Sequence, residues 1–266
     1  MSDKKIKLGV VGVGHLGQHH ARILSSFPNV ELIGVVDINE FRAKEIAKSN
    51  KTQAYTRHQD IIGKIDAVTV VVPTSAHFSI GKDFLEAGIH TLVEKPITDS
   101  LKEAEDLVRL AHEHQAILQI GHVERFNTAV MKLREYLKIP KFIECHRLAT
   151  FDPRVRDVGV VLDLMIHDID ILLTVVDSEI SKIEAVGVAV LTPYEDIANA
   201  RITFKNSCIA NLTASRMAKD KLRKIRFFQD DAYFSLDYAK PELEIYKKIV
   251  QNGKVSISFD KIGTGP

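Results

Sequence analysis

Cysteine is scarce in this chain: of 266 residues only Cys145 and Cys208 are thiols, and their separation has no metal-type spacing. Each lies in a strand-like apolar context, so both are read as buried structural residues, and no metal is expected. An excess of either charge is also missing. Lys and Arg number 36 against 35 Asp and Glu, a formal net charge of +1, which removes the electrostatic case for a nucleic-acid or membrane partner. No apolar run reaches the length of a membrane span, and the opening Met1-Ser2-Asp3-Lys4-Lys5 lacks the apolar core of a signal peptide. The expectation is a cytoplasmic protein. Internal repeats, low-complexity segments and Pro/Gly-rich linkers are absent from the sequence as well. A chain of this length suits two domains better than one core.

What is present begins with Ile6 to Val11, an apolar, β-branched run of the kind that forms a buried parallel strand. It leads into Gly12-Val13-Gly14-His15-Leu16-Gly17, with the spacing G-x-G-x-x-G. In that spacing the first glycine permits a tight turn, the second lets backbone approach a pyrophosphate, and the third lets the next helix pack on the strand. The helix start then offers free N–H groups to phosphate. A second strand, Val30 to Val36, ends in Asp37, about 20 residues beyond Gly17, where a ribose-binding carboxylate is expected. Capping of the following helix, 39 to 48, is a compatible second role for Asp37.

Strand and helix patterns alternate from Ile6 to about Ile120, the signature of βαβ units and a parallel sheet. Helices are expected over 15–27, 40–48, 75–87 and 100–114, and further strands over 65–72, 90–93 and 116–120. Gly88 is placed as a left-handed helix cap. Ligands of such sheets bind beyond the carboxyl ends of the strands, so the glycine turn, Asp37 and Val72-Pro73-Thr74 are expected around one crevice. The strand 90–93 runs into Glu94-Lys95-Pro96, where a lysine at a strand end beside an X-Pro bond points to the same crevice.

Past Gly121 the pattern changes to two helical stretches followed by strands, an α+β domain on a large, mostly antiparallel sheet. The reading is therefore α/β, with a Rossmann dinucleotide-binding domain over 1–121 and an α+β substrate-binding domain over 122–266. A helix is expected from Gly121 to Pro140, and within it Glu124, Arg125 and Asn127 read either as solvated first-turn residues or as donors and acceptors for sugar hydroxyls and phosphates. The stretch Val160 to Leu173 reads as a helix apolar on nearly every side that carries Asp163, His167 and Asp170 at i, i+4 and i+7 on one face. Buried polar groups need partners, and a histidine one turn from an aspartate fits a general base facing a cleft. The strands that follow are placed at 182–191, 196–204, 207–216, 224–229, 231–237 and 242–248, alternating enough to bury one face.

These motifs carry a resemblance. Gly-Val-Val-Gly-Val-Gly-His-Leu-Gly, Pro73-x-x-x-His77 and the run from Ala87 to Glu94-Lys95-Pro96 together resemble the Gfo/Idh/MocA family of NAD(P)-dependent oxidoreductases, and Asp163-x-x-x-His167 with Asp170 extends the likeness into the second domain. The resemblance implies a catalytic set of Lys95, Asp163 and His167. It also implies cofactor contacts from Gly12 to Gly17, Asp37, Val72 to Thr74, His77, Glu94 and Lys95, and substrate contacts from Lys95, Glu124, Arg125, Asn127, Asp163 and His167. Hydride would pass from a secondary hydroxyl of a sugar or nucleotide sugar, held between the domains, to nicotinamide. Asp37 favours NAD over NADP, because a carboxylate accepts a 2′-hydroxyl and repels a 2′-phosphate, with Arg42 the cation that leaves NADP open.

Within the family, the segment 121–127 and the strands containing Asp-Ile-Ala-Asn-Ala-Arg and Asn-Leu-Thr-Ala-Ser-Arg are similar to the branch that oxidises the 3-hydroxyl of UDP-N-acetylglucosamine for lipid A. Inositol or free-sugar oxidation, ketone or tetrapyrrole reduction and a non-catalytic dinucleotide sensor stand as alternatives. The resemblance also implies a homo-oligomer through the second sheet. Family members continue past the last strands into a helix, whereas this sequence closes at Lys261-Ile262-Gly263-Thr264-Gly265-Pro266, the reading of a short form whose activity stands in question.

Overall fold

The computed structural model describes residues 4–152, 158–238, 240, 242–252 and 254–263. The last residues of the expected short form, Thr264 to Pro266, and the opening Met1 to Asp3 lie outside them. Two compact units, Met1–Gly121 and His122–Pro266, make up the chain.

In the first unit the strands β1 (Ile6–Val11), β2 (Val30–Val36), β3 (Gln53–Tyr55), β4 (Ala67–Val70), β5 (His90–Val93) and β6 (Leu118–Ile120) form one parallel sheet in the order β3-β2-β1-β4-β5-β6. The order reverses between β1 and β4, and at that reversal the loops leaving two neighbouring strands turn to opposite sides and open a crevice. Helices α1 (Gly17–Ser26), α2 (Glu40–Ser49), α3 (His77–Glu86) and α4 (Leu101–Glu113) connect the strands. Alternate side chains of β1 and β2 enter different cores, Val10 and Val35 with Val13, Ala21 and Ile46, Val11 and Val36 with Val70, Phe84 and Val93. That two-sided burial explains the near-continuous apolar reading of these strands. The three-residue edge strand β3 was absent from the sequence reading, its brevity leaving no period to detect. Gly88 does take a positive φ of 71° at the end of α3.

The second unit holds a 3₁₀ turn (Val123–Phe126), α5 (Thr128–Leu133), β7 (Phe142–Leu148), a π-helical turn (Val161–Met165) running directly into α6 (Ile166–Val175), and β8 (Ile180–Val188), β9 (Ile197–Phe204), β10 (Ile209–Ser215), β11 (Leu222–Phe228), β12 (Ala232–Asp237), β13 (Glu242–Gln251) and β14 (Lys254–Gly263). Its eight strands run β14-β13-β12-β11-β7-β10-β9-β8, antiparallel except for β7 beside β10. The helices pack on one face, with Val130, Leu133, Met165, Ile171 and Leu172 sharing a core with Ile143, Leu212, Phe227 and Leu236. Cys145 and Cys208 are buried in the same core, and burial pushes the Cys208 thiol up to about 11, so both are inert packing groups.

Two expectations require correction. The helix expected from Gly121 to Pro140 is interrupted at Asn127, whose extended ψ of 126° stops the 3₁₀ turn and whose Oδ1 accepts the N–H of Ala129 to start α5. β7 carries no expectation beyond the strand-like context of Cys145, and β14 lies past the last expected strand. The helix read as buried on nearly every side has an exposed Leu173, and its polar stripe is accompanied by the buried Asp168. No helix among the described residues is long and apolar enough to cross a membrane.

Candidate functional site

In the first unit a crevice of about 390 Å³ opens at the carboxyl ends of β1, β2 and β4 and is lined by Gly12, Gly14, Asp37, Val72 and Pro73 among the expected residues. The glycine turn is built by close approach. Gly12 has φ of 84°, and a Cβ there would lie 2.3 Å from the Val71 carbonyl oxygen, while one on Gly17 would lie 1.8 Å from that of Gly12. Gly14 is different, since a Cβ there would meet nothing within 4 Å. No protein contact demands glycine at 14, and the space it leaves belongs to the crevice. Beside it α1 begins without a side-chain cap or an acidic residue in its first turn. Open backbone beside an uncapped helix start is what a pyrophosphate needs.

Asp37 stands at the end of β2, its Oδ2 accepting the N–H of Val13 (3.0 Å) and its Oδ1 that of Asn39 (2.9 Å). Arg42 grips the same residue through its following peptide, Nε donating to the Val13 carbonyl at 2.9 Å, while its other nitrogens donate to Gln18 and Glu45. Val13 itself is fully buried in the core. Its part in the turn is therefore scaffolding, and Arg42 is committed to the glycine turn rather than held in reserve for a phosphate. A carboxylate acceptor at this strand end fits a dinucleotide with an unmodified adenosine ribose, whose 2′-hydroxyl donates.

Several expected cofactor contacts are not among the residues that line the crevice: Val13, His15, Leu16, Gly17, Thr74, His77, Glu94 and Lys95. His15 and Leu16 lie on the exposed outside of the turn, and Thr74 opens a short 3₁₀ turn ahead of α3. His77 is buried, with Nδ1 2.8 Å from the Pro96 carbonyl and Nε2 2.9 Å from that of Val72, so its ring ties the loop after β4 to the loop after β5. Glu94 is likewise turned to the protein: Oε2 accepts the N–H of Lys95 at 3.2 Å and Oε1 lies 3.2 Å from His20 Nε2. Lys95 is half-buried and joined to Pro96 by a cis peptide bond. Conversely, Thr56, His58 and Ser75 line the crevice and carry no expectation of a site role from the sequence. Thr56 and His58 follow the undetected β3, so no sequence period marked them.

In the second unit Asp163 lies within the π-helical turn and His167 in the first turn of α6, both half-buried. π-helical turns widen a helix locally and occur often at functional sites. Two carboxylates on the same helix anchor it. Asp168 receives Arg147 of β7 in a bidentate pair, Nε and Nη2 each at 2.9 Å, and both residues are buried. Burial opposes the guanidinium charge, but Asp168 outweighs it and raises the Arg147 pKa, while burial raises that of Asp168. Asp170 receives Arg125 through Nε at 2.7 Å and Nη2 at 2.5 Å. Glu124 lies 3.5 Å from Arg147 Nη1, and Asn127 is the α5 cap. Glu124 and Asn127 are thus engaged by the protein, whereas Arg125 keeps a side chain 48% exposed. Among the described residues no group of three or more His, Cys, Asp or Glu is placed to hold a metal ion.

Residues 6–122 match the family model described as an oxidoreductase family with an NAD-binding Rossmann fold, and residues 119–235 match the Gfo/Idh/MocA C-terminal domain. A UDP-N-acetylglucosamine 3-dehydrogenase of Acidithiobacillus ferrooxidans is 39% identical over 244 residues, 91% of this chain and 77% of that protein. A solved structure of that enzyme superposes with a TM-score of 0.86 at 38% identity, covering 96% of this chain and 82% of the other. More distant is a myo-inositol 2-dehydrogenase of Thermotoga maritima, 27% identical over 80% of this chain and 69% of that protein. The glycine turn, the doubly held Asp37 and the two matched domains converge: the chain belongs to the Gfo/Idh/MocA family of oxidoreductases, whose Rossmann fold binds NAD.

Proposed function

We propose that this protein oxidises a secondary hydroxyl of a nucleotide sugar, the 3-hydroxyl of UDP-N-acetylglucosamine, with NAD as acceptor, and that Lys95, Asp163 and His167 form its catalytic set. The observation that carries the reading is the 39% identity to a UDP-N-acetylglucosamine 3-dehydrogenase across 91% of the chain, with both domains of the family represented. The crevice residues Gly12, Gly14 and Asp37 would hold NAD, which supplies the hydride acceptor when bound.

The remaining work falls to side chains. Removing a hydride from a carbinol carbon leaves positive character there unless the hydroxyl proton departs in step, so the reaction needs a base at the oxygen. His167 takes that proton. Asp163, one turn earlier, orients the imidazole and the hydroxyl, and Lys95 donates a hydrogen bond that stabilises alkoxide character on the same oxygen. Arg125, its fork fixed by Asp170 and its outer surface exposed, is the residue of the 124–127 segment suited to the sugar or its phosphates.

The test follows NADH formation with UDP-N-acetylglucosamine, free hexoses and inositols offered in turn. Turnover is expected with the nucleotide sugar. Lys95→Met and His167→Asn should each lower kcat by about 10²–10⁴-fold while leaving the NADH dissociation constant near wild type. Wild-type turnover in both variants overturns the assignment of roles. Binding of NAD without turnover of any of these substrates overturns the activity.

A further inference from the structure

One residue outside every role given so far is joined to the Lys95 loop. His20 lies on α1, one turn past the third glycine. Its Nδ1 is 2.9 Å from the hydroxyl of Thr69, which is buried at the centre of β4, and its Nε2 is 3.2 Å from Glu94 Oε1. The other oxygen of Glu94 accepts the N–H of Lys95 at 3.2 Å. Gly121 closes the remaining side, for a Cβ there would lie 2.7 Å from Glu94 Oε1. A carboxylate is acceptor-only, so Nε2 must carry the proton of the imidazole, and in the neutral ring Nδ1 then accepts from the Thr69 hydroxyl. The result is a directed chain from Thr69 through His20 to Glu94, met at the other carboxylate oxygen by the peptide that bears Lys95.

Glu94 is only 9% exposed, and burying a carboxylate is costly unless its lone pairs are met. Burial alone would push its carboxyl up, yet the bonds from His20 and from the Lys95 amide outweigh it and hold it below the usual carboxylate range. Packing does not require this arrangement, because an apolar side chain would fill the same space without needing partners. What the polar chain adds is direction: it fixes one peptide, and the side chain on that peptide is Lys95.

We propose that His20 is a positioning residue for Lys95, acting through the Glu94 carboxylate. The inference rests on the reading of Lys95 as a group that touches the substrate hydroxyl. Displacing such a group by about 1 Å costs up to about 10²-fold in rate, which sets the size of effect to look for.

The variants are His20→Leu, which removes the donor, His20→Gln, whose amide nitrogen reaches the position of Nε2, and Thr69→Val, which removes the hydroxyl that sets the ring's tautomer. Hydrogen exchange at the Lys95 amide, followed by NMR on the full chain, needs no substrate. It should speed up at least about tenfold in His20→Leu and stay near wild type in His20→Gln. With substrate, kcat should fall about 10–100-fold in His20→Leu, recover largely in His20→Gln, and fall by less in Thr69→Val, with the NADH dissociation constant unchanged throughout. In a Lys95→Met background His20→Leu should bring no further loss. Unchanged exchange at Lys95 in both His20→Leu and Thr69→Val overturns the proposal, as does an equal fall in kcat with and without Lys95. Full turnover by Lys95→Met overturns the reading of Lys95 itself, a result distinct from either of these.

Discussion

On the proposed reading, Asp37 selects the cofactor by what its two oxygens already do. Both are fixed by backbone N–H groups, of Val13 and Asn39, so the carboxylate cannot swing away from a 2′-phosphate, and Arg42 is tied to the Val13 carbonyl instead of facing the crevice. Asp37→Ala is therefore expected to weaken NADH binding and to narrow the preference over NADPH by about 10–100-fold, the range set by one hydrogen bond to a charged group. Arg42→Ala should weaken both cofactors alike, because it loosens the turn and removes no phosphate ligand. Fluorescence titration of each variant with both reduced cofactors checks the two statements, and a loss confined to NADPH in Arg42→Ala would restore that arginine to a phosphate-binding role. At this scale the sequence is legible where a residue's job is local: a Cβ on Gly17 would meet the Gly12 carbonyl of its own turn. It is illegible where the job is set by distant partners. His77, a cofactor contact by resemblance, has its ring between two loop carbonyls that its own sequence neighbourhood does not reveal, and His20 carries no signal because Thr69 and Glu94 lie far along the chain.

The element that carries Asp163 and His167 is held at its start by a residue of another loop. Glu195, between β8 and β9, accepts the Val161 N–H at 3.2 Å, and its backbone carbonyl accepts that of Val160 at 2.8 Å. Gly159 leaves room for this, since a Cβ there would lie 1.9 Å from Glu195 Oε1. Because the obstructing atom is the end of a flexible side chain, Gly159→Ala should displace the Glu195 carboxylate rather than unfold the helix. The expected cost is that of a lost cap, about 1 kcal/mol, with the same cost for Glu195→Ala and little added in the double variant. Denaturant unfolding of the three variants measures it, and additive losses would separate the two residues. A larger loss, about 3–5 kcal/mol, is expected for Arg147→Leu, which leaves Asp168 buried without its partner. The polar character of this helix was legible, but its anchoring was not. Arg147 occupies an inward position of β7, alternating with Ile143 and Cys145, and an arginine in the core-facing series breaks the period by which a strand is recognised. The strand-like context of Cys145 does not extend to Arg147, so the sequence shows no partner for Asp168.

At the scale of the whole molecule, the sheet of the second unit presents an outer face that no element of its own unit covers in the described residues. Its inner face is the core. On its outer face Phe142, Phe228, Tyr233, Tyr246 and Phe259 stand ring beside ring across β7, β11, β12, β13 and β14, with successive centroids 5.9, 4.8, 5.1 and 4.9 Å apart. Val255, Ile257 and Phe259 of β14 are 63%, 71% and 56% exposed. β14 alternates, but its Val255, Ile257 and Phe259 face away from the core and only Ile262 packs against it, so the strand lacks a core-facing apolar series. A contiguous aromatic and aliphatic surface of this kind marks a contact site, and the sheet's own face repeated on a second copy would meet aromatic row with aromatic row. We infer self-association through this face. Light scattering after size exclusion should give the mass of an oligomer for the native chain. Ile257→Lys with Phe259→Glu, which would bury unpaired charge in the contact, should raise the concentration for half-dissociation by about 100-fold or more. Both positions are solvent-exposed in the single chain, so these substitutions cost the fold little, and thermal stabilisation by NADH, which depends on the crevice of the first unit, should persist in the dissociated form. An unchanged mass in the double variant would move the contact off this face, and a native chain that runs as a monomer at every concentration would leave the aromatic row without a partner of its own kind.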